Sequence, residues 1–170
     1  MALKKTSSTI VISSSVLETA ANTFTSSQVD MQLNPLDNEV FVVVGLNLDP
    51  DAPDSVANTS TTVNASISTT ARTSVGTIAD TNVMGAARTQ IICNAGMTPD
   101  GGIPFSREDP LVMPLDMQYL GIIATNDFFV NIQGISNGNA KVCRARLYGY
   151  RARADASTYA ALVQSELLSA

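Results

Sequence analysis

The sequence predicts an all-β protein, an antiparallel β-sandwich with a jelly roll as the favoured version, followed by a short C-terminal α-helix. Three observations carry this prediction. Short runs rich in β-branched residues recur along the chain, and turn signals separate them roughly every 10–15 residues. Helical spacing is confined to the C-terminal end. About seven to nine strands fit into the 170 residues, which we interpret as a single domain, 1–170.

The first third of the chain contains the most apolar predicted strand. Glu39–Leu48 includes an uninterrupted valine and phenylalanine run, typical of a strand that is buried on both faces. Before it, Ser8–Ser14 and Phe24–Leu33 are predicted as two further strands. Residues 1–20 are interpreted as an N-terminal arm that contacts either its own core or a neighbouring subunit.

The middle of the chain is less uniform. Ala57–Thr73 alternates in polarity, which predicts a strand with one face exposed. The residues predicted to share the less polar face are Thr59, Thr61, Val63, Ala65, Ile67 and Thr69. Thr89–Asn94 predicts a short strand and Ala95–Pro110, with its glycines and prolines, a long loop. Val112–Thr125 is predicted as one strand or two.

The last third predicts a hairpin and a helix. Asn137-Gly138 is a tight-turn signal between the strand patterns Asp127–Gln133 and Lys141–Tyr150. Asp155 is a good N-cap for a helix, giving a C-terminal helical segment at 155–169. The residues predicted to share its apolar face are Tyr159, Leu162, Val163, Glu166 and Leu167.

Composition argues against catalysis. The chain has no histidine, which removes the commonest general base and the usual serine and cysteine nucleophile arrangements. Its net charge of −5 contrasts with the basic character of proteins that grip nucleic acid along a whole face. Charged residues are only 15%, whereas serine and threonine number 17 each, which suits a surface that neighbouring subunits cover. We expect a protein that is not an enzyme and needs no cofactor.

The acidic segment after the buried strand holds the candidate metal ligands, Asp49, Asp51 and Asp54. Clustered carboxylate oxygens favour calcium. The segment lacks the ligand spacing of an EF-hand, and its two prolines limit bending. A solvated turn is therefore the favoured interpretation.

Four of the seven arginines lie within ten residues, namely Arg144, Arg146, Arg151 and Arg153. With Tyr148 and Tyr150 among them, this strand fits a contact with nucleic acid or anionic lipid. The favoured alternative is that the arginines pair with acidic groups of the same sheet or of neighbouring subunits, because the chain is acidic and has only three lysines.

Cys93 and Cys143 either form one disulfide or, as we favour, are small buried apolar side chains. The apolar patch Ile10–Ile12 is too short for a signal peptide, and no stretch approaches the ~20 apolar residues of a membrane span. We expect synthesis in a cytoplasm.

Four segments carry a resemblance to a known family: Glu39–Leu48, the loop Ala95–Pro110, the turn Asn137-Gly138 and the closing strand Lys141–Ala154. In these the chain resembles the small single jelly-roll capsid proteins of icosahedral viruses. The resemblance implies a subunit that assembles with copies of itself and with other virion proteins into a shell, located in the virion. Only Lys4 and Lys5 are basic near the N-terminus, which implies packaging of DNA by a motor or within a membrane.

Other functions stay open. Phage tail-tube and capsid-decoration proteins are small β-rich parts of similar size. A surface adhesin or carbohydrate-binding module is the alternative from another class. Such a module needs an aromatic platform, for which the chain offers four tyrosines and no tryptophan.

Overall fold

The computed structural model describes residues 3–93, the backbone of Phe105–Asp109, and residues 117–168. Within these residues lie ten strands: β1 (Lys4–Lys5), β2 (Ile10–Leu17), β3 (Thr25–Asp30), β4 (Glu39–Pro50), β5 (Thr61–Ser68), β6 (Val83–Ile92), β7 (Phe105–Asp109), β8 (Gly121–Ile123), β9 (Asp127–Ile135) and β10 (Val142–Arg153). A short 3-10 turn at Pro35–Asp37 precedes β4, and the helix α1 (Ala156–Leu168) follows β10. The prediction of an all-β protein with a short C-terminal helix is confirmed.

The strands form two antiparallel sheets. Sheet A has the order β2-β10-β4-β8, with β1 also pairing with β10, and sheet B has the order β3-β9-β5-β6-β7. The pairs are nested along the chain, since β2 pairs with β10, β3 with β9, β4 with β8, and β5 with β6. The predicted antiparallel β-sandwich is therefore confirmed.

The main core lies between the two sheets. Because side chains alternate along a strand, every second residue of each sheet points inward. Phe41 and Leu147 come from sheet A and Ile67 and Phe128 from sheet B, and each is at most 1% exposed. Burying a side chain of this size stabilises the fold by about 1.5–3 kcal/mol.

The prediction that the segment containing β5 is half-exposed is wrong. Val63 and Ile67 face the core, but Ser66 and Ser68 on the opposite face are also fully buried. Residues 69–82 cover that face with hydrogen bonds: the Gly76 N–H donates to Ser66 Oγ at 3.1 Å, and Ser68 Oγ donates to the Thr70 carbonyl. Tertiary packing therefore buries a serine face that its composition assigned to solvent.

Residues 40–43 of β4 are buried on both faces, as predicted, whereas Val44 at a bulge and Asn47 further along the strand are exposed. The register passes from Gly45 opposite Tyr148 to Val43 opposite Gly149 and skips Val44. Val43 packs in the main core, whereas Val40 and Val42 belong to a second cluster on the other side of sheet A. That second cluster exists because α1 lies against this end of the sheet.

The helix α1 begins where the sequence predicts. Asp155 accepts hydrogen bonds from the Ser157 hydroxyl at 2.7 Å and from the Thr158 N–H at 2.8 Å, which lowers the pKa of its carboxyl to about 2. Leu162 packs against the second cluster, but Leu167 is 63% exposed and does not belong to the apolar face. In the described part of the chain, no helix has the length and apolar character that crossing a bilayer requires.

Other boundaries differ from the prediction. In the described part of residues 1–20, β1 and β2 pair with β10 inside sheet A. The loop predicted at Ala95–Pro110 is wrong for Phe105–Asp109, which forms β7. The other residues of that loop, 95–104 and 110, lie outside the described residues, as do residues 112–116 at the start of the next predicted strand.

The favoured interpretation of the cysteines agrees with the structure for Cys143, which is fully buried in the core. No disulfide joins it to Cys93, which follows β6 and is half-buried. Burial raises the pKa of the Cys143 thiol to about 12.

Candidate interaction surface

The helix α1 covers only one end of the face of sheet A that points away from the main core, and the rest of that face is exposed. Its members point away from the core and are contributed by three adjacent strands: Val11, Ser13, Ser15 and Leu17 of β2, Arg144, Arg146 and Tyr148 of β10, and Asn47 and Asp49 of β4. We call these nine residues the outer face. A shallow depression of about 520 Å³ lies over them.

The local sequence of β2 explains why this face is polar in the middle and apolar at its ends. The even-numbered residues Ile10, Ile12 and Val16 pack on the core, so the odd-numbered ones project outward. Two of those odd positions are apolar, and Val11 is 52% and Leu17 60% exposed. The outer face therefore has one exposed apolar side chain at each end of β2.

Arg144 and Arg146 are the predicted arginines that reach the outer face. The Arg144 guanidinium lies 2.9 Å from Asp51 and 3.9 Å from Asp49, and the hydrogen bond to Asp51 raises its pKa. Arg146 lies in register between Ser13 of β2 and Asn47 of β4. Among the described acidic side chains, none pairs with Arg146, so its charge is available to a partner.

Arg151 and Arg153 lie elsewhere. They have the opposite parity on β10 and belong to the end of the sandwich near the 3-10 turn. Arg151 bonds Glu39 at 3.0 Å and donates to the carbonyls of Met31 and Gln32, while Arg153 bonds Asp37 at 2.7 Å. The structure therefore divides the predicted basic strand into two pairs, and three of its four arginines are matched by acidic groups of the same chain.

The three predicted calcium candidates do not converge on an ion site. Asp54 accepts from the N–H groups of Gly138 and Asn139 and from Lys141 Nζ at 2.5 Å, a hydrogen bond that lowers the Asp54 pKa. Asp51 is likewise bonded to the Val142 N–H at 3.0 Å and to Arg144. Within the described residues, no group of three acidic or cysteine side chains is placed to hold a metal. Asp51 and Asp54 hold the loop after β4 against the connection between β9 and β10 and the start of β10.

A second set of polar contacts at the same end of the sandwich was not predicted. Asn22 and Asn137 exchange two hydrogen bonds, from Asn22 Nδ2 to the Asn137 carbonyl and from the Asn137 N–H to Asn22 Oδ1. Asn137 Oδ1 also accepts from the Asp54 N–H at 2.9 Å. The hairpin predicted at Asn137-Gly138 is wrong, because β9 pairs within sheet B and β10 within sheet A, so that residues 136–141 connect the two sheets. The hydrogen-bond partners of Asn137 lie 83 and 115 residues away and leave no local pattern.

The outer face combines several kinds of chemical group. It offers hydroxyl and amide groups, one cation without a described acidic partner and two exposed apolar side chains. Comparisons of the chain with protein-family models, with curated proteins and with solved structures each found no match.

Proposed function

We propose that the protein is a virion structural subunit that assembles with copies of itself into a protein shell. The observation that carries the proposal is the outer face, where exposed Val11 and Leu17 flank small polar groups beside Arg146. Protein interfaces are enriched in arginine and aromatic residues, and the outer face presents Arg144, Arg146 and Tyr148.

The nested strand pairing supports a jelly roll, the favoured version of the sandwich. Eight of the strands fall into two four-stranded sheets, β2-β10-β4-β8 and β3-β9-β5-β6. Jelly rolls serve as viral shell subunits, but also as lectin domains and cupins. The fold alone therefore leaves the function open, and the character of the surface decides between these uses.

The outer face favours subunit contact over glycan binding. A glycan site needs aromatic rings that are exposed side by side, and Tyr148 is the one aromatic residue among the nine members of the outer face. The hydroxyl and amide groups of the outer face can supply direct hydrogen bonds of the kind that protein interfaces carry.

The proposal is tested by light scattering after size-exclusion chromatography, over a wide range of protein concentration, with electron microscopy of every large fraction. Closed particles of uniform size support the proposal. Tubes identify a tail-tube protein instead, and a 17.9 kDa monomer at every concentration overturns self-assembly.

A charge-matched pair of variants tests the surface itself. Asn47→Lys places a second cation beside Arg146 in the middle of the outer face. Ser26→Lys adds the same charge at an exposed position of β3, on sheet B. We expect Asn47→Lys to raise the protein concentration needed for assembly by about tenfold, because a charge brought into an interface without a partner costs free energy. Equal behaviour of the two variants contradicts a role for this face.

A further inference from the structure

The strand β2 is a long sheet edge without the usual protection. It spans Ile10–Leu17, eight residues that include no charge and no proline. The other edges differ: β8 has only three residues, β3 ends in Asp30, and β7 reads FSRED with three charges. Proteins that must stay apart protect sheet edges with charges, prolines or short strands. An edge that lacks all three is open to the addition of another strand.

The backbone groups on the free side of β2 are those of its odd-numbered residues. The Glu18 N–H donates to the Lys141 carbonyl, so residues of even number along β2 point to β10. The β10 strand agrees with this alternation. The Asp51 N–H donates to the Val142 carbonyl, so the backbone groups of even-numbered β10 residues point to β4, and those of odd-numbered residues point to β2. By alternation, Val11, Ser13, Ser15 and Leu17 direct their N–H and C=O groups away from the sheet. No described hydrogen bond occupies these groups.

The pattern of apolar and polar residues along this edge is symmetric about its centre. From Val11 to Leu17 it has two apolar residues, three serines and two apolar residues, with Ser14 at the centre. An antiparallel copy with Ser14 opposite Ser14 places Val11 against Leu17 on the outer face and Ile12 against Val16 on the core side. Each apolar side chain then faces an apolar one, and each serine faces a serine.

We infer that β2 pairs with β2 of a second copy across a two-fold axis at Ser14, so that two sheets A join into one continuous sheet. This contact rests on the proposed self-assembly and identifies one of its interfaces. A two-fold contact of this kind uses the same surface on both subunits and therefore needs a self-complementary edge. The charges nearest the axis do not oppose it, since Arg146 of one copy and Arg144 of the other lie about three strand spacings apart, roughly 14 Å.

Cysteine cross-linking tests the register. In the inferred pair, the two Ser14 residues oppose each other as a non-hydrogen-bonded pair, with Cα atoms about 4.5 Å apart, within reach of a disulfide. We expect Ser14→Cys to form a covalent dimer on mild oxidation, located by mass spectrometry so that Cys93 and Cys143 are not mistaken for it. Ser13→Cys is the matched control, because Ser13 faces Ser15 of the second copy and lies more than about 7 Å from the second Ser13.

A proline variant tests the edge independently. Ser13→Pro removes an N–H that points to the free side, so pairing within the molecule is kept. We expect its melting temperature to stay near that of wild type and its dissociation constant for self-association to rise at least about tenfold. Ser13→Thr, which keeps the N–H, is the control. Ser15→Lys provides a second test, should proline disturb the strand.

The outcomes separate the two proposals. A Ser14→Cys dimer together with weakened association of Ser13→Pro supports the strand pairing. If wild type assembles but Ser13→Pro assembles equally well and Ser14→Cys does not cross-link above the Ser13→Cys level, the edge pairing is overturned and the shell proposal stands. If wild type remains a monomer at every concentration, both proposals fail together.

Discussion

Glu18 and Lys141 are joined by two hydrogen bonds at the end of the sandwich. The Glu18 N–H donates to the Lys141 carbonyl at 2.9 Å, and the Lys141 N–H donates back to the Glu18 carboxylate at 2.9 Å. The second carboxylate oxygen accepts from the Gly134 N–H at 2.6 Å, and Glu18 is only 2% exposed. Backbone donors thus stabilise a buried carboxylate that links the end of β2 to β9 of sheet B and to the residue before β10 of sheet A.

Removing this carboxylate is expected to destabilise the protein strongly. Glu18→Ala leaves the N–H groups of Gly134 and Lys141 buried without an acceptor, and each such group costs about 1–3 kcal/mol. We expect a loss of about 3 kcal/mol in the free energy of unfolding, measured by urea titration. Glu18→Gln keeps one acceptor oxygen and should lose less. Equal stability of Glu18→Ala and wild type contradicts the linking role.

The loop carboxylate Asp54 gives stability that depends on pH. Its pKa lies below the ordinary value of 3.8, chiefly because of the hydrogen bond from the Lys141 side chain. A lowered pKa adds stability above the ordinary value, and this is lost as the pH falls through the folded-state pKa. We expect wild type to exceed Asp54→Asn in urea midpoint at pH 7, with the difference shrinking below pH 3.8. Asp49→Asn, at a largely exposed carboxylate, serves as the control.

Glu166 of α1 has the opposite pH dependence. Its carboxylate accepts from the N–H groups of Ala124 and Thr125, but burial raises its pKa above 4.5. A raised pKa adds stability that is complete below 4.5 and is lost as the pH rises through the folded-state value. Relative to Glu166→Gln, which cannot ionise, wild type should therefore lose stability between about pH 4.5 and 7. A constant difference across this range contradicts the assignment.

Gly149 marks a close approach between β10 and β4 at the bulge. A Cβ atom added there collides with the Phe41 ring and with the Val42 carbonyl. Gly149→Ala should lower the free energy of unfolding by about 1–3 kcal/mol through overpacking. Gly138→Ala is the matched control, because its Cβ would lie 3.7 Å from Asp54 in ordinary contact. Similar losses for both variants exclude a special requirement at Gly149.

The Cys143 thiol should be chemically inert in the folded protein. It is fully buried, and burial raises its pKa to about 12, so almost no thiolate is present at pH 8. We expect alkylating reagents to modify Cys143 only after denaturation, as followed by mass spectrometry of its peptide. Modification of Cys143 at the rate of an exposed thiol under native conditions contradicts the packing of β10.

Features that depend on residues close together in the sequence were predicted, whereas features that depend on contacts between distant segments were missed. The burial of residues 40–43 in β4 and the Asp155 cap depend on neighbours a few residues apart, and both were predicted. The predicted Asn137-Gly138 hairpin is wrong, because pairings with distant strands place β9 in sheet B and β10 in sheet A. The burial of Ser66 and Ser68 was missed, because residues 69–82 return over them only in the folded chain. The division of the arginines was missed as well, since it depends on which acidic groups lie beside each end of β10.

The sequence by itself determined that this protein is built from strands, where its main turns fall, that its helix begins after Asp155, and that β2 is free of charge. These properties follow from alternation, chain geometry and composition, which act locally. The tertiary structure decided that β2 forms an edge of sheet A, that Arg146 has no described acidic partner and that Asp54 accepts hydrogen bonds from Gly138, Asn139 and Lys141. Those outcomes depend on pairings between distant segments, and burial and hydrogen bonding at a given residue are set only when those segments meet.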